Sequence, residues 1–366
     1  MASERRDPRA DALLIATHEL ARLGVGARSI ADRLTAGDLT RVRRGWYAET
    51  AALTASPPHV QQLAAMLAAQ REARCAVLFG HRSAATAHGL PVWSAWLRTT
   101  ERGGTQTPHA ESTRSLRQAL TTDQVVSPGF RASRTPNVRY HQSAVPDSDR
   151  VEIAGFPVTS ADRTLFDIAR SEPFSVALAC ADKYLRDAFR AGPHVDEARW
   201  REWQAAFSER IAGAAGVPGI RRVRALAALA DPRADSPLES VSRLRLTQLG
   251  IDVETQYAVV SERGSTYFLD FWFLDAPFFG ECDGKSKYTD AGMRNGRSTE
   301  EVLYREKRRQ DWIVGTTGRR AVRWGAADVI TPSALRKRLT AFGVAVPGRP
   351  SPRVDPATAA VLRGLA

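Results

Sequence analysis

Residues 267–287 read YFLDFWFLDAPFFGECDGKSK and set two apolar, aromatic runs on either side of an Asp-Ala-Pro turn. Aromatic runs that are broken by Asp and Pro predict a β-hairpin. If the turn is centred between Asp275 and Ala276, Asp270 falls opposite Glu281, and the two share a face because strand residues alternate. Opposed carboxylates repel each other, so the pattern favours a divalent cation with oxygen ligands. A solvated acidic edge of an ordinary hairpin is the alternative.

Lysine is scarce in the chain, since 47 of the 52 basic residues are arginines and five are lysines. Three of the five, Lys285, Lys287 and Lys307, lie on or just after this hairpin. Lysine is a compact charge whose proton affinity can be tuned, whereas arginine stays charged. We therefore expect a chemical role for one of them, in the order Lys285, Lys287, Lys307. Simple phosphate binding by all three is the alternative.

The last third of the chain predicts a regular series of elements. A capping box at Ser236 and Glu239 begins a helix that ends at Gly250. We then expect strands near 253–260, 266–273 and 277–284, a helix after a second capping box at 298–301, a strand at 321–324, and a closing helix after Thr331. The predicted order is α-β-β-β-α-β-α.

The first 55 residues predict short helices over 11–24 and 27–34, a turn into a third, and a basic β-ribbon over 39–47. Helices followed by such a ribbon are the plan of a winged helix-turn-helix. Arg41, Arg43 and Arg44 would then contact DNA phosphates, which positions a protein without reading sequence. A small helical cap with a solvated, arginine-rich strand is the alternative.

Composition supports a nucleic-acid partner. The net charge of +12 and the pI near 10.2 favour a polyanion, with DNA first. We expect a cytoplasmic protein without membrane association. No apolar run approaches membrane-spanning length, and the apolar run near the N-terminus is too short for a signal peptide. The cysteines Cys75, Cys180 and Cys282 are few and odd in number, which predicts neither a disulfide frame nor a zinc site. The oligomeric state is left open.

Several motifs in the first half of the chain resemble AbiEi-type antitoxins. They are the ribbon sequence Arg43-Arg44-Gly45-Trp46-Tyr47, His81-Arg82-Ser83-Ala84-Ala85 with His88-Gly89-Leu90-Pro91, and Val158-Thr159-Ser160 with Arg163-Thr164-Leu165-Phe166-Asp167. This resemblance implies that the protein binds DNA, and that one role of this binding is to regulate the protein's own gene.

The last third resembles the PD-(D/E)xK nuclease superfamily in its element order and in Asp270, Glu281 and a following lysine. Within it, Glu281-Cys282-Asp283-Gly284 is similar to the motif of the very-short-patch-repair endonuclease branch. The resemblance implies that Asp270 and Glu281 bind Mg²⁺ or Mn²⁺ and that Glu239 corresponds to the acidic residue of the first helix. A capping role explains Glu239 equally well.

The chain departs from that superfamily at one position, because Asp283 stands where the lysine is expected. Asp283 is then a ligand or orients Lys285. Lys307 and Arg308 on the next helix are expected to face the site or the DNA backbone, and a charged, solvated helix face is the alternative. The resemblance thus implies a metal-dependent DNA endonuclease. The alternative is a non-catalytic DNA-binding regulator that carries a degenerate nuclease fold.

Together these observations predict a mixed α/β protein of several domains. They are a winged helix-turn-helix over 1–55, a mixed helical domain over 56–218, a nuclease-like domain with an αβββαβ core over 219–345, and a mobile tail over 346–366.

Overall fold

A computed structural model describes residues 7–94, 97, 115–131, 135–282 and 299–365, the side chains of 299, 302 and 303 excepted. The chain is a mixed α/β protein, as predicted, and its described part contains four open sheets. It divides into two compact units, residues 1–93 with 104–171 and residues 94–103 with 172–366. The finer predicted division at residues 55, 218 and 345 stays a prediction.

The first unit begins with a small antiparallel sheet in the order β1-β3-β2. The predicted helix over 11–24 is interrupted by β1, because Ile15 pairs with Tyr47 and the Glu19 carboxylate accepts the N–H of Ala16 at 2.6 Å. The predicted ribbon is present and turns at Gly45, whose φ of 77° suits glycine. The strands are β1 (Ile15–Ala16), β2 (Leu39–Arg43) and β3 (Trp46–Glu49), and the helices are Pro8–Ala12, Thr17–Arg22, Ala27–Ala36, Thr50–Ala55 and Pro58–Glu72.

A mixed five-stranded sheet in the order β6-β5-β4-β8-β7 completes the first unit. Phe79 and Val158 are fully buried in its core, beside Met66 of the long helix before it. The strands are β4 (Leu78–Phe79), β5 (Thr122–Val126), β6 (Val138–Gln142), β7 (Arg150–Ile153) and β8 (Phe156–Thr159), with the short 3-10 helix Asp147–Asp149 and the helices His81–Ala87, 115–120 and Ala161–Ser171.

The second unit begins with a helical layer. Its buried side chains include Phe174, Leu185, Phe207 and Leu226. The helices are Phe174–Phe189, Glu197–Gly213 and Ile220–Leu229, and the two-stranded hairpin of β9 (Arg190–Ala191) and β10 (His194–Val195) joins the first two.

The sheet that the hairpin stretch builds has the order β11-β12-β13-β14. The first three strands are antiparallel, and β13 and β14 are parallel because the helix Thr299–Thr317 connects them. The elements follow the predicted order α-β-β-β-α-β-α. They are the helix Pro237–Leu249, β11 (Val253–Val260), β12 (Thr266–Phe273), β13 (Phe278–Cys282), the helix Thr299–Thr317, β14 (Arg320–Trp324), the 3-10 helix Ala326–Val329 and the helix Pro332–Ala341.

The segment after residue 346, predicted to be a mobile tail, is packed within the second unit. It contains the helix Pro356–Arg363, in which Leu362 is 1% exposed. The Gln248 amide donates to the Leu362 carbonyl at 3.0 Å, and the N–H of Gly348 donates to the Leu249 carbonyl at 2.8 Å. These bonds hold the segment against the helix Pro237–Leu249.

Two further expectations concern the whole chain. None of the described helices is long and apolar enough to cross a membrane. Cys75, Cys180 and Cys282 are free thiols, with Cys75 exposed and the other two buried.

Candidate functional site

Two of the predicted carboxylates lie close to Cys282, at the end of β13. The Asp270 carboxylate accepts the backbone N–H of Cys282 at 2.6 Å, and the Cys282 thiol contacts the Ser242 hydroxyl at 3.2 Å. Burial raises the pKa of the Cys282 thiol well above its usual range, and the nearby charges of Asp270 and Glu239 raise it further. The structure thus brings Glu239, from a helix, and Asp270, from β12, to the end of one strand.

The register of the hairpin agrees with the sequence prediction. Phe271 pairs with Gly280 and Trp272 with Phe279, so the turn is centred between Asp275 and Ala276 and the next pair along is Asp270 with Glu281. The pairing of β12 with β13 ends before that pair, where the Asp270 carboxylate accepts the backbone N–H of Cys282.

Strand alternation is irregular at Asp270. Leu269 and Trp272, three positions apart, both contact the apolar cluster around Ile313. Gln256, which lies across from Asp270 on β11, has a positive φ of 57°. Strand alternation therefore does not assign the face of Asp270, and the shared face of Asp270 and Glu281 stays a prediction.

Glu281 is held by two arginines. Arg309 donates to Oε1 at 2.6 Å, and Arg323 lies 2.9 Å from Oε2. Arg323 is the partner of Glu281 in the parallel register of β13 and β14, while Arg309 comes from the helix Thr299–Thr317 and also donates to the Phe268 carbonyl at 2.7 Å. Each oxygen of this buried carboxylate therefore has a guanidinium partner.

A second glutamate joins the same group. The Glu306 carboxylate accepts from Arg323 at 2.7 Å and lies 3.4 Å from Arg309. We call Glu281, Glu306, Arg309 and Arg323 the arginine–glutamate cluster. Its two positive and two negative charges cancel, so the sheet neutralises Glu281 with arginines, where the sequence led us to expect a cation.

The sequence analysis did not identify Arg309 or Arg323 as site residues, although the spacing of buried neighbours indicates the face on which each one lies. Arg309 lies one helical turn before Ile313, which is fully buried, so it is on the face that packs against the sheet. Arg323 lies between the buried residues Val322 and Trp324, so strand alternation directs it to the opposite face of β14.

Glu239 serves the helix cap. It is 5% exposed, its N–H donates to the Ser236 hydroxyl at 3.2 Å, and its carboxylate accepts from the Asp235 N–H at 2.8 Å. The carboxylate also accepts from Ser236 at 2.9 Å and from the Gln256 amide at 3.0 Å. Burial raises the pKa of Glu239, and these hydrogen bonds partly oppose that rise. The capping alternative is therefore supported, and both oxygens of the carboxylate are engaged.

The remaining candidates near the hairpin fall into two groups. Asp283, Lys285 and Lys287 lie outside the described residues. Lys307 and Arg308 are exposed on the helix Thr299–Thr317, and Arg308 lies 3.7 Å from Glu262. Their exposure leaves them accessible to a polyanion.

In the N-terminal ribbon, Arg41 and Arg44 are exposed but Arg43 is not. Arg43 is 6% exposed and donates to the Thr122 hydroxyl at 2.7 Å. Burial lowers the pKa of its guanidinium. The expectation that Arg43 contacts DNA phosphates is therefore corrected, because its side chain is enclosed within the first unit.

Mg²⁺ and Mn²⁺ prefer carboxylate and water ligands. Among the described residues, no group of three or more His, Cys, Asp or Glu side chains could hold a metal ion. The carboxylates of Glu281 and Glu239 are already engaged with protein donors. As arranged, the described side chains therefore do not fit either cation.

Neither a protein-family model nor a curated protein matches the chain. The antitoxin and nuclease resemblances therefore depend on motifs and element order alone.

Proposed function

We propose that the chain is a DNA endonuclease, a hydrolase of phosphodiester bonds, with a winged helix-turn-helix at its N-terminus and a restriction-endonuclease-like core at its C-terminus. One observation carries the proposal. The α-β-β-β-α-β-α order surrounds a mixed sheet in which the register of β12 and β13 carries Asp270 opposite Glu281, one position beyond the pair of Phe271 with Gly280. That placement is what the nuclease resemblance requires of its two main carboxylates.

The charges of the described residues support DNA as the substrate. The chain carries a net charge of +12, and Arg41, Arg44, Lys307 and Arg308 are exposed. Hydrolysis of a phosphodiester develops negative charge on the phosphoryl oxygens, which fixed donors stabilise. Arg309 and Arg323 are such donors beside Glu281. Dependence on Mg²⁺ or Mn²⁺ is part of the proposal, and the assay below tests it.

A non-catalytic DNA-binding regulator of the AbiEi antitoxin type is the second candidate. The observation that favours it is the double engagement of Glu281 by arginines, which leaves neither oxygen for a cation in this arrangement. Asp283 at the position where a nuclease of this superfamily has a lysine also favours a non-catalytic protein. Such a protein would bind DNA and leave it intact.

A cleavage assay separates the two candidates. Supercoiled plasmid and linear duplex DNA are incubated with the protein in Mg²⁺, in Mn²⁺ and in EDTA, and products are resolved on gels. We expect cleavage with either cation and none in EDTA. Asp270→Asn and Glu281→Gln should each abolish cleavage, because each change keeps the shape of the side chain and removes a negative charge proposed to hold the cation.

The matched control is Glu254→Gln, because Glu254 is an exposed carboxylate on the neighbouring strand β11. It should cleave at the wild-type rate. Intact DNA in every cation, together with a retained mobility shift, would favour the regulator. Cleavage by Asp270→Asn at the wild-type rate would remove Asp270 from the site.

A further inference from the structure

The arginine–glutamate cluster has the composition of an oxyanion site that is filled by the protein's own carboxylates. A guanidinium presents the same fork of N–H donors to a carboxylate and to a phosphate. The side chains of Arg309 and Arg323 are 22% and 25% exposed, whereas that of Glu281 is 10% exposed. The donors therefore reach solvent more than the carboxylate that they bind.

We propose that Arg309 and Arg323 form a binding site for a DNA backbone phosphate, and that Glu281 occupies this site until a phosphate displaces it. The inference rests on the proposed function in one respect, that the polyanion is DNA. It assigns Glu281 two alternating roles, as counterion of the arginines without DNA and as a free carboxylate with DNA bound.

Charge balance is the reason for the exchange. The cluster is neutral with two arginines and two glutamates. A phosphodiester that enters while Glu281 stays would leave one excess negative charge in a half-buried place, which is costly. Release of Glu281 from the guanidiniums removes that excess from the arginine site.

The same balance makes Glu281 and a phosphate competitors for the two guanidiniums. Without DNA, each Glu281 oxygen accepts from an arginine. A change that weakens the hold of Glu281 on the arginines should therefore strengthen phosphate binding, because the coupling between the two interactions is reciprocal.

The first test measures DNA affinity in EDTA, where cations and cleavage play no part. A fluorescent 20-base-pair duplex is titrated with wild-type protein, Glu281→Gln and Glu254→Gln. Since Gln at 281 competes poorly for guanidiniums, Glu281→Gln should bind the duplex about fivefold more tightly or better, the lower end for coupled sites. Glu254→Gln, which removes an exposed charge, should change the affinity much less. Equal affinities for the two variants would overturn the proposal.

The second test measures the affinity of Arg323→Gln and Arg309→Gln for the same duplex in EDTA. Each should bind the duplex about tenfold more weakly or worse than wild type, because a charged donor to the phosphate is lost. Arg305→Gln is the matched control, since Arg305 is exposed on the same helix as Arg309. Duplex binding by Arg323→Gln no weaker than by Arg305→Gln would contradict the proposal.

Folding is checked by circular dichroism, and either arginine variant suffices if the other does not fold. The two proposals can fail separately. Tighter DNA binding by Glu281→Gln without any cleavage would reject the nuclease and keep the exchange. Cleavage by wild type with no change in either binding test would keep the nuclease and reject the exchange.

Discussion

Two buried carboxylates of the second unit face arginines, and they are held in different ways. Asp182 lies 2.7 Å from Arg243 and also accepts the backbone N–H of Asp231 at 2.9 Å. Arg243 in turn donates to the Leu229 carbonyl. Glu281 instead shares two arginines with a second carboxylate, Glu306.

The two sites differ in the exposure of their arginines and in the number of carboxylates that each arginine binds. The side chains of the Asp182–Arg243 pair are 1% and 10% exposed, and each partner is also bonded to a backbone group, the Asp231 N–H or the Leu229 carbonyl. The arginines beside Glu281 are about twice as exposed and already bind another carboxylate. One pair is therefore fixed, and the other can exchange partners. A buried ion pair that is also held by backbone groups serves the fold, whereas a cluster whose arginines are partly exposed and bind a second carboxylate suits ligand binding.

The largest expected effect is on the fixed pair. Asp182→Asn leaves the Arg243 charge buried without its counterion, which typically costs about 3–5 kcal/mol of the free energy of unfolding. Urea denaturation followed by circular dichroism measures this loss. Asp187→Asn is the control, because Asp187 is about half exposed in its pair with Lys183 and should cost less than about 1 kcal/mol. A loss for Asp182→Asn as small as the control's would erase the distinction between the two pairs.

A smaller effect is expected at the exchangeable pair. Glu281→Gln removes charge-assisted hydrogen bonds worth about 1.5–3 kcal/mol, but Glu306 remains to pair with both arginines. The same urea experiment should therefore show a loss below that of Asp182→Asn. Repulsion between Asp270 and Glu281 alone would make the change neutral or stabilising, whereas the arginine partners make a loss the expected result. A loss equal to that of Asp182→Asn would mean that Glu281 is fixed too.

Much of the C-terminal fold could be predicted from sequence because its signals are local. The capping residues Ser236 and Thr331 start helices at Pro237 and Pro332, and the turn around Asp275 sets the hairpin register. These features depend on neighbours within a few residues. The interruption of the first helix by β1 depends instead on pairing between Ile15 and Tyr47, which are far apart in sequence.

The site was predicted less completely for the same reason. Asp270 and Glu281 are close in sequence, so their register could be read from the hairpin. Arg309 and Arg323 reach Glu281 from 28 and 42 positions away, through the helix Thr299–Thr317 and the parallel pairing of β14. Sequence charge alone also cannot separate an enclosed arginine from an exposed one.

The three arginines of the N-terminal ribbon also divide into fixed and available side chains. Changing them should give the smallest effect, a change in the salt dependence of DNA binding. Arg43 is fixed by Thr122, whereas Arg41 and Arg44 are exposed. Each phosphate contact contributes about 0.9 to the slope of log affinity against log salt. Changing Arg41 and Arg44 together to Gln should therefore lower the slope by about 1.8, as measured by fluorescence anisotropy between 50 and 200 mM salt.

Arg43→Gln should leave the slope unchanged and lower the free energy of unfolding by about 1–3 kcal/mol, because the Thr122 hydroxyl loses a buried donor. A slope that falls in Arg43→Gln and stays constant in the double variant would show that the ribbon contacts DNA through the enclosed arginine, and would contradict the distinction between fixed and available guanidiniums.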